Sequence, residues 1–390
     1  MGSLPITAFF MPPLLYLDYN ATTPLDPAVR AAMVPYLEQE FGNPSSFYSL
    51  GRRAEAALTR AREQVGTLLG AQPSEIIFNS GATESITTAF MSALSADPNK
   101  RHIVTSAVEH SATLELCRDY EARGYEVTCL PVDRKGQLSL QALEEAITPA
   151  TALVSLLWAN NETGVLLPVE EIAVLTEKKG TSLHLDAVQA VGKIPINLHS
   201  LPVHYLSLSG HKLYAPKGVG ALYVHRHVSY TPLLRGSQEG GRRGGTENVA
   251  SIVALGEAAQ LAQELLPLEI TRQALLRDRL EQGLLNRLEN VQCNGDPVCR
   301  LFNTSSLTFD GIQAAEALLL LDQEGLCCSA GSACNTQSQS PSHVLSAMGL
   351  SREEARSTLR FSVGRFTTEA EIESALEIVP RVVKKLRAID

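Results

Sequence analysis

The stretch TSLHLDAVQAVGKIPINLHSLPVHYLSLSGHKLYAPKGVGALYVH (181–225) holds three short β-rich runs joined by loops of glycine, proline and polar residues. The same texture runs upstream. EIIFNS (75–80), HIVTSAVEH (102–110), YEVTCLPV (125–132) and TALVSLLWA (151–159) read as strands. Helical patterns separate them: RRAEAALTRAREQVGTLLG, ATESITTAFMSALSA, ATLELCRDYEARG, LQALEEAI and VEEIAVLTEKKG. Strands that are continuously apolar rather than alternating predict a mostly parallel sheet buried on both faces by helices. VGALYVH follows VHYLSLSG too closely for a helical crossover, so that strand is expected to run antiparallel.

Beyond about residue 246 the alternation loosens. Two long helical patterns run nearly end to end, TENVASIVALGEAAQLAQEL and LEITRQALLRDRLEQGLLNRLE. Strand SSLTF, helix AAEALLLLD, a cysteine-bearing loop, strand TLRFSV and a last helix follow, which suits a smaller α+β domain.

Composition narrows the class. The chain has 390 residues, 44% hydrophobic and 19% charged, with net charge −9. It is globular and large enough for two domains. The acidic balance argues against nucleic acid as a partner. Seven cysteines without a framework spacing read as free thiols in a reducing, cytoplasmic setting. The N-terminus is apolar but lacks a basic start and is broken by prolines. It is not read as a signal peptide, and Met11 is a second candidate start. No run is expected to span a bilayer.

In a parallel α/β sheet, ligands gather at the carboxyl ends of strands. Five such ends carry polar groups. NSGATES (79–85) opens a helix with small residues and suits a phosphate, or is an N-cap supplied by Ser80 or Thr83. His110 ends SAVEH, either as a site imidazole or as a turn residue. Asn160 and Asn161 end a buried strand, where one reading is turn chemistry. Asp186 ends another strand and needs a cation, unless it caps a helix. Lys212 follows Ser209-Gly210-His211 in a glycine-rich loop, where a solvated lysine is the alternative. No dinucleotide or P-loop fingerprint occurs. Taken together, the amine, carboxylate, imidazole and phosphate turn are the parts that pyridoxal 5'-phosphate requires.

The chain resembles the cysteine desulfurases of the class V aminotransferase group, fold-type I pyridoxal phosphate enzymes. The resemblance rests on YLDYNATTP, FGNPSS (41–46), SGATES, VEH, NNETG, HLDAVQAVGK, SLSGHKLYAPKGVGALY, GGTEN (244–248), GSAC (331–334) and LRFSVGR (359–365), in family order. It implies an α/β fold with a mostly parallel seven-stranded sheet sandwiched by helices in a large domain, 26–256. A smaller α+β domain comprises 1–25 and 257–390 and carries the catalytic cysteine loop. By position, Lys212 resembles the Schiff-base lysine, Asp186 the partner of the pyridine nitrogen, and Gln189 the partner of the ring hydroxyl. His110 resembles the stacked imidazole with an acid–base part. Ala82, Thr83, Ser209 and His211 resemble phosphate ligands, and Thr246 the threonine that reaches a neighbouring subunit's phosphate. Asn43, Asn161 and Arg360 look like substrate grips. Cys334 matches the sulfur-accepting cysteine of the long-loop group.

The resemblance implies removal of sulfur from L-cysteine, giving alanine and a persulfide on Cys334. It also implies a homodimer, no membrane, and a sulfur-acceptor protein such as an iron–sulfur scaffold. Selenocysteine lyase, a class V aminotransferase and a non-catalytic partner protein are the alternatives. Cys327 and Cys328 stand where the family often has serine. A core position is expected for them, onward sulfur transfer being the other reading. A metal site from Cys327, Cys328, Cys334 and His343 is disfavoured, because no CxxC pair is present.

Overall fold

The computed structural model describes residues 14–331 and 341–388. Strand β1 (Leu15–Tyr16) leads to helices α1 (Pro27–Glu38) and α2 (Ser49–Leu69). α1 starts at Asp26, whose side chain accepts from Ala28 N, and α2 stops at Gly70 in the left-handed region, φ 58°. Then follow β2 (Ile76–Asn79), α3 (Ala82–Ala96), β3 (His102–Ser106), α4 (Ser111–Ala122), β4 (Glu126–Leu130), α5 (Leu140–Ala146) and β5 (Thr151–Leu157). α6 (Val169–Lys178), β6 (Ser182–Asp186), β7 (Tyr205–Ser209) and β8 (Gly220–Val224) complete this half.

These strands form one seven-stranded sheet in the order β2-β8-β7-β6-β5-β3-β4. β8 pairs antiparallel with both β2 and β7, and the other pairs are parallel. The tight β7–β8 connection thus produces the antiparallel strand expected from the sequence. Every residue of β3, β5, β7 and β8 is buried, because helices lie on both faces. β4 is the edge strand, and its residues are largely exposed or intermediate.

The remainder begins with α7 (Val249–Arg287), 39 residues long. The sequence suggested two helices here; the structure has one, passing through Pro267. An interior proline costs about 3 kcal/mol of helix stability. Burial on both sides of it offsets that cost: Ile252 to Ala262 pack in the core under the large sheet, and Leu276 to Leu284 in a second core. By length and composition α7 is also long and apolar enough to cross a membrane, contrary to the expectation from sequence. Its most apolar window is 61% buried within the protein, and the helix packs against α1 and α2.

β9 (Val291–Cys293), β10 (Thr304–Phe309), α8 (Ala314–Gln323), β11 (Leu326–Cys327), α9 (His343–Ala347), α10 (Arg352–Arg356), β12 (Thr358–Ser362) and α11 (Glu369–Arg387) follow. β12-β10-β9 form an antiparallel sheet, and β1 pairs in parallel with β11. The second core gathers Leu15 and Leu17 with α7, β10, β12 and α11. Val344 and Leu345 of α9, with Met348 just past its end, join the first core instead. The segment containing α9 therefore ties back to the large sheet.

Candidate active site

A cavity of about 700 Å³ opens at the carboxyl ends of β5, β6 and β7 and at the start of α3. Ala82, Thr83, His110, Asn161, Asp186, Gln189, Ser209, His211, Lys212 and Arg360 all line it. Residues as far apart as Ala82 and Arg360 meet there because parallel strands deliver their following loops to one edge of the sheet.

α3 enters the cavity uncapped. Its N-cap is Gly81, φ 147° and ψ −179°, with no side-chain cap. Neither Ser80 nor Thr83 caps the helix, as the sequence allowed. Ser80 Oγ donates to Glu84 Oε2 at 2.6 Å, and Arg243 pairs with Glu84 Oε1 at 3.0 Å. A side chain at Gly220 would meet Gly81 Cα at 2.7 Å, so two glycines let β8 and this turn touch. The first-turn N–H groups and the helix dipole face a space also bordered by Ser209 and His211, a donor set that suits a phosphate. His211 Nδ1 lies 3.1 Å from Thr22 Oγ1. Burial, with Lys212 and Lys217 nearby, pushes its pKa down to about 4, so the ring is neutral.

Asp186 ends β6, 7% exposed. Burial raises its pKa; the Val188 N–H at 3.0 Å and the charges of His110 and Lys212 oppose that rise. The Val188 contact makes it an Asx turn rather than a helix cap. Lys212 Nζ donates to the carbonyls of Asn20 and Ala21, each at 2.6 Å. Gln189 Nε2 donates to Asn20 O at 3.0 Å, and its Oε1 accepts from Lys193 Nζ at 2.6 Å. His110 caps α4, its Nδ1 accepting from Ala112 N at 3.1 Å. Burial lowers its pKa, Lys212 and His343 add to that, and Asp186 opposes it.

Arg360 is 1% exposed. Its Nη2 pairs with Asp18 Oδ1 at 2.7 Å and its Nη1 donates to Asn161 O at 2.9 Å; Nε is buried with no hydrogen-bond partner among the described residues. The two asparagines divide. Asn160 is structural: its Oδ1 accepts from Glu162 N and Thr163 N, and its Nδ2 donates to Val108 O. Asn161 is the one on the cavity wall.

Two predicted residues lie elsewhere within this chain. Thr246 lines a neighbouring recess of about 150 Å³ that shares Ser80 and Gly218 with the main cavity. Asn43 is exposed and folds on its own loop, its Oδ1 accepting from Ser45 N at 2.9 Å. Cys334 lies outside the described residues. The residues flanking that segment converge on Glu162, a cavity residue: Ser342 Oγ donates to Glu162 Oε2 at 2.5 Å, and a Cβ on Gly331 would meet the same oxygen at 3.0 Å. Cys328 packs against the second core, and burial drives its pKa up. Cys327 is half-buried in β11.

Asn20, Glu162, Lys193 and His343 belong to the site's architecture but were not singled out as site residues from sequence. Asn20 and Lys193 sit inside YLDYNATTP and HLDAVQAVGK, and Glu162 inside NNETG. In the sequence His343 reads only as a disfavoured metal ligand. Little local marks them: Asn20, Glu162 and His343 bond to partners distant in the chain, and Lys193 reaches Gln189 four residues back only because the turn after β6 brings them together.

The Aminotransferase class-V family model matches residues 15–375. "Cysteine desulfurase 2" of Trichormus variabilis is 51% identical over 377 residues, covering 96% of this chain and 94% of that protein. "Cysteine desulfurase NifS" of Azotobacter vinelandii is 48% identical over 377 residues, with the same coverage. Among solved structures, a "NIFS-LIKE PROTEIN" superposes with TM-score 0.90 at 36% identity, covering 96% of this chain and 100% of its own. "SspA in complex with cysteine" matches with TM-score 0.80 at 36% identity, covering 90% of this chain and 99% of its own. Strand order, cavity and full-length likeness agree: the chain belongs to the class-V aminotransferase family, among its cysteine desulfurases.

Proposed function

We propose that this enzyme uses pyridoxal 5'-phosphate to remove sulfur from L-cysteine, giving L-alanine and a persulfide on Cys334. The observation that carries the reading is the set around one cavity: the Lys212 amine, the buried Asp186 carboxyl and the uncapped start of α3. The residues present fit the cofactor. Ala82 and Thr83 at the start of α3, with Ser209 and His211, would hold its phosphate, Asp186 its ring nitrogen, Gln189 its ring hydroxyl and Lys212 its aldehyde carbon. When bound, the cofactor supplies a ring that withdraws charge from the substrate's α-carbon.

The protein's own groups do the rest. Arg360 and Asn161 grip the substrate carboxylate, a task to which the planar guanidinium is suited. Lys212 Nζ takes the α-proton, and two backbone carbonyls aim that nitrogen. Asp186 sits where its charge, made costly by burial, is relieved by a cation. The Cys334 thiolate takes the sulfur: an S–S bond forms as the substrate C–S bond breaks. The persulfide then passes to an acceptor protein, for which an iron–sulfur scaffold is the reading.

A homodimer with shared sites is part of the proposal. Thr246 lies outside its own chain's cavity, and Leu37 in the last turn of α1 with Phe41, Phe47 and Tyr48 in the loop to α2 are exposed apolar side chains. Six free cysteines among the described residues support a cytoplasmic setting.

The test is an absorbance spectrum of the purified protein, then assays of sulfide and alanine from L-cysteine. Wild type should be coloured and active. Lys212→Ala should lose the covalent cofactor after borohydride. Cys334→Ala should bind cofactor yet release no sulfide. Undiminished turnover by Cys334→Ala would remove that residue from the reaction, and a protein that takes up no cofactor would end the reading.

A further inference from the structure

Three imidazoles stand on the cavity wall, His110, His211 and His343. His211 meets the Thr22 hydroxyl through Nδ1 and borders the phosphate-suited space; the other two are held by backbone groups. The backbone leaves a different end of each of these two free. His110 Nδ1 accepts the Ala112 N–H at 3.1 Å. A backbone amide only donates, so this nitrogen is bare and the proton of the neutral ring sits on Nε2. His343 Nε2 meets the Glu109 carbonyl at 2.8 Å. A carbonyl only accepts, so here Nε2 carries the hydrogen and Nδ1 keeps its lone pair. Among the described residues none donates to that Nδ1. At its uncommitted end His110 therefore carries an N–H, and His343 a lone pair.

The His343 ring is also held firmly. His343 opens α9 directly after Ser342, whose Oγ donates to Glu162 Oε2 and accepts from Leu345 N at 3.2 Å. Val344 and Leu345 anchor the same turn in the first core. The charged and titratable groups around it are Glu109, His110, Glu162, Asp186, Lys212 and Arg360, each on another element of the cavity or its wall.

We infer that His343 Nδ1, rather than His110, accepts the proton of the thiol that enters this cavity to take up sulfur. The inference rests on the desulfurase reading above and adds the base that reading lacks. In the step, the S–H bond breaks and an N–H bond forms at Nδ1. Sulfur keeps the electron pair as a thiolate, nothing is oxidised or reduced, and the imidazolium later returns its proton to water. In this account His343 acts on the thiol itself rather than through another residue.

The test uses the cofactor-loaded enzyme and His343→Gln, whose amide can still donate to Glu109 O but cannot act as a base. At pH 7 kcat should fall about 10²- to 10⁴-fold, the usual worth of a general base. It should then climb with pH toward roughly 8.5, where a thiol ionises unaided. His343→Phe should show the same climb. An unchanged kcat, or a loss equal at every pH, overturns the inference. Two-bond proton–nitrogen spectra of histidine-labelled wild type give an independent readout: the His343 proton should sit on Nε2, and finding it on Nδ1 overturns the inference whatever the rates. A wild type that makes no alanine sinks the desulfurase reading, whereas an active wild type with a normal His343→Gln sinks this inference alone.

Discussion

Replacing Lys193 with methionine probes an amine that the cavity wall holds in an unusual state. Lys193 Nζ donates to Gln189 Oε1 at 2.6 Å and to Asn20 Oδ1 at 3.4 Å. Burial, then the charges of Lys212 and Arg360, push its pKa from 10.5 down to about 7. Between those two values the unfolded chain binds a proton that the folded protein has lost, so stability rises with pH across the window. Below about pH 7 the folded state must carry the charge and the full penalty applies. Weighing both protonation equilibria at pH 7 and at pH 9, with one unit worth about 1.4 kcal/mol, gives a rise of about 2 kcal/mol from this residue. Lys193→Met has no such proton. Urea unfolding of both proteins at the two pH values isolates the effect, because every other titration cancels in the difference. Wild type should gain about 2 kcal/mol more than the variant on going from pH 7 to pH 9. Parallel pH dependences would refute the reasoning, since they would mean that the amine titrates alike in folded and unfolded states.

Three further outcomes follow from the geometry. Asp186→Asn should keep the cofactor's phosphate contacts but lower kcat about 10²- to 10³-fold, the scale of losing one preorganised electrostatic group; a kcat within twofold of wild type argues that Asp186 faces no developing charge. Arg360→Lys loses the fork that spans Asp18 and the Asn161 carbonyl, so KM for L-cysteine should rise about tenfold or more, equivalent to about 1.4 kcal/mol, and steady-state kinetics will show whether it does. Gly364→Ala would drive a Cβ into the Tyr19 ring. Overpacking of that kind costs about 1–3 kcal/mol, and a thermal melt should register a lower Tm.

Much of the fold was legible because burial writes itself into local pattern. TALVSLLWA is apolar on both faces because helices cover both faces of β5, and VGALYVH had no room for a crossover, which made β8 antiparallel. The α7 reading failed for the converse reason. Pro267 is a strong local stop, and only the packing of the turns on either side, in two separate cores, carries the helix through it. α1, β1, β9, α9 and α10 gave little signal. They are short or irregular, and contacts from distant segments hold them.

The site divides along the same line. The order and spacing of strand-end motifs in the sequence were enough to nominate the amine, the carboxylate, the phosphate turn and the family, because parallel topology sends such ends to one edge. What only the folded chain decided is the state of each group. It put the two asparagines of NNETG to different tasks, set Thr246 and Asn43 apart from the cavity of their own chain, bound Arg360 to Asp18 across 342 residues, and left His110 a donor and His343 an acceptor. The physical reason is that protonation, orientation and charge depend on desolvation and on single hydrogen bonds to partners remote in the chain. Residue type and spacing carry no record of those partners.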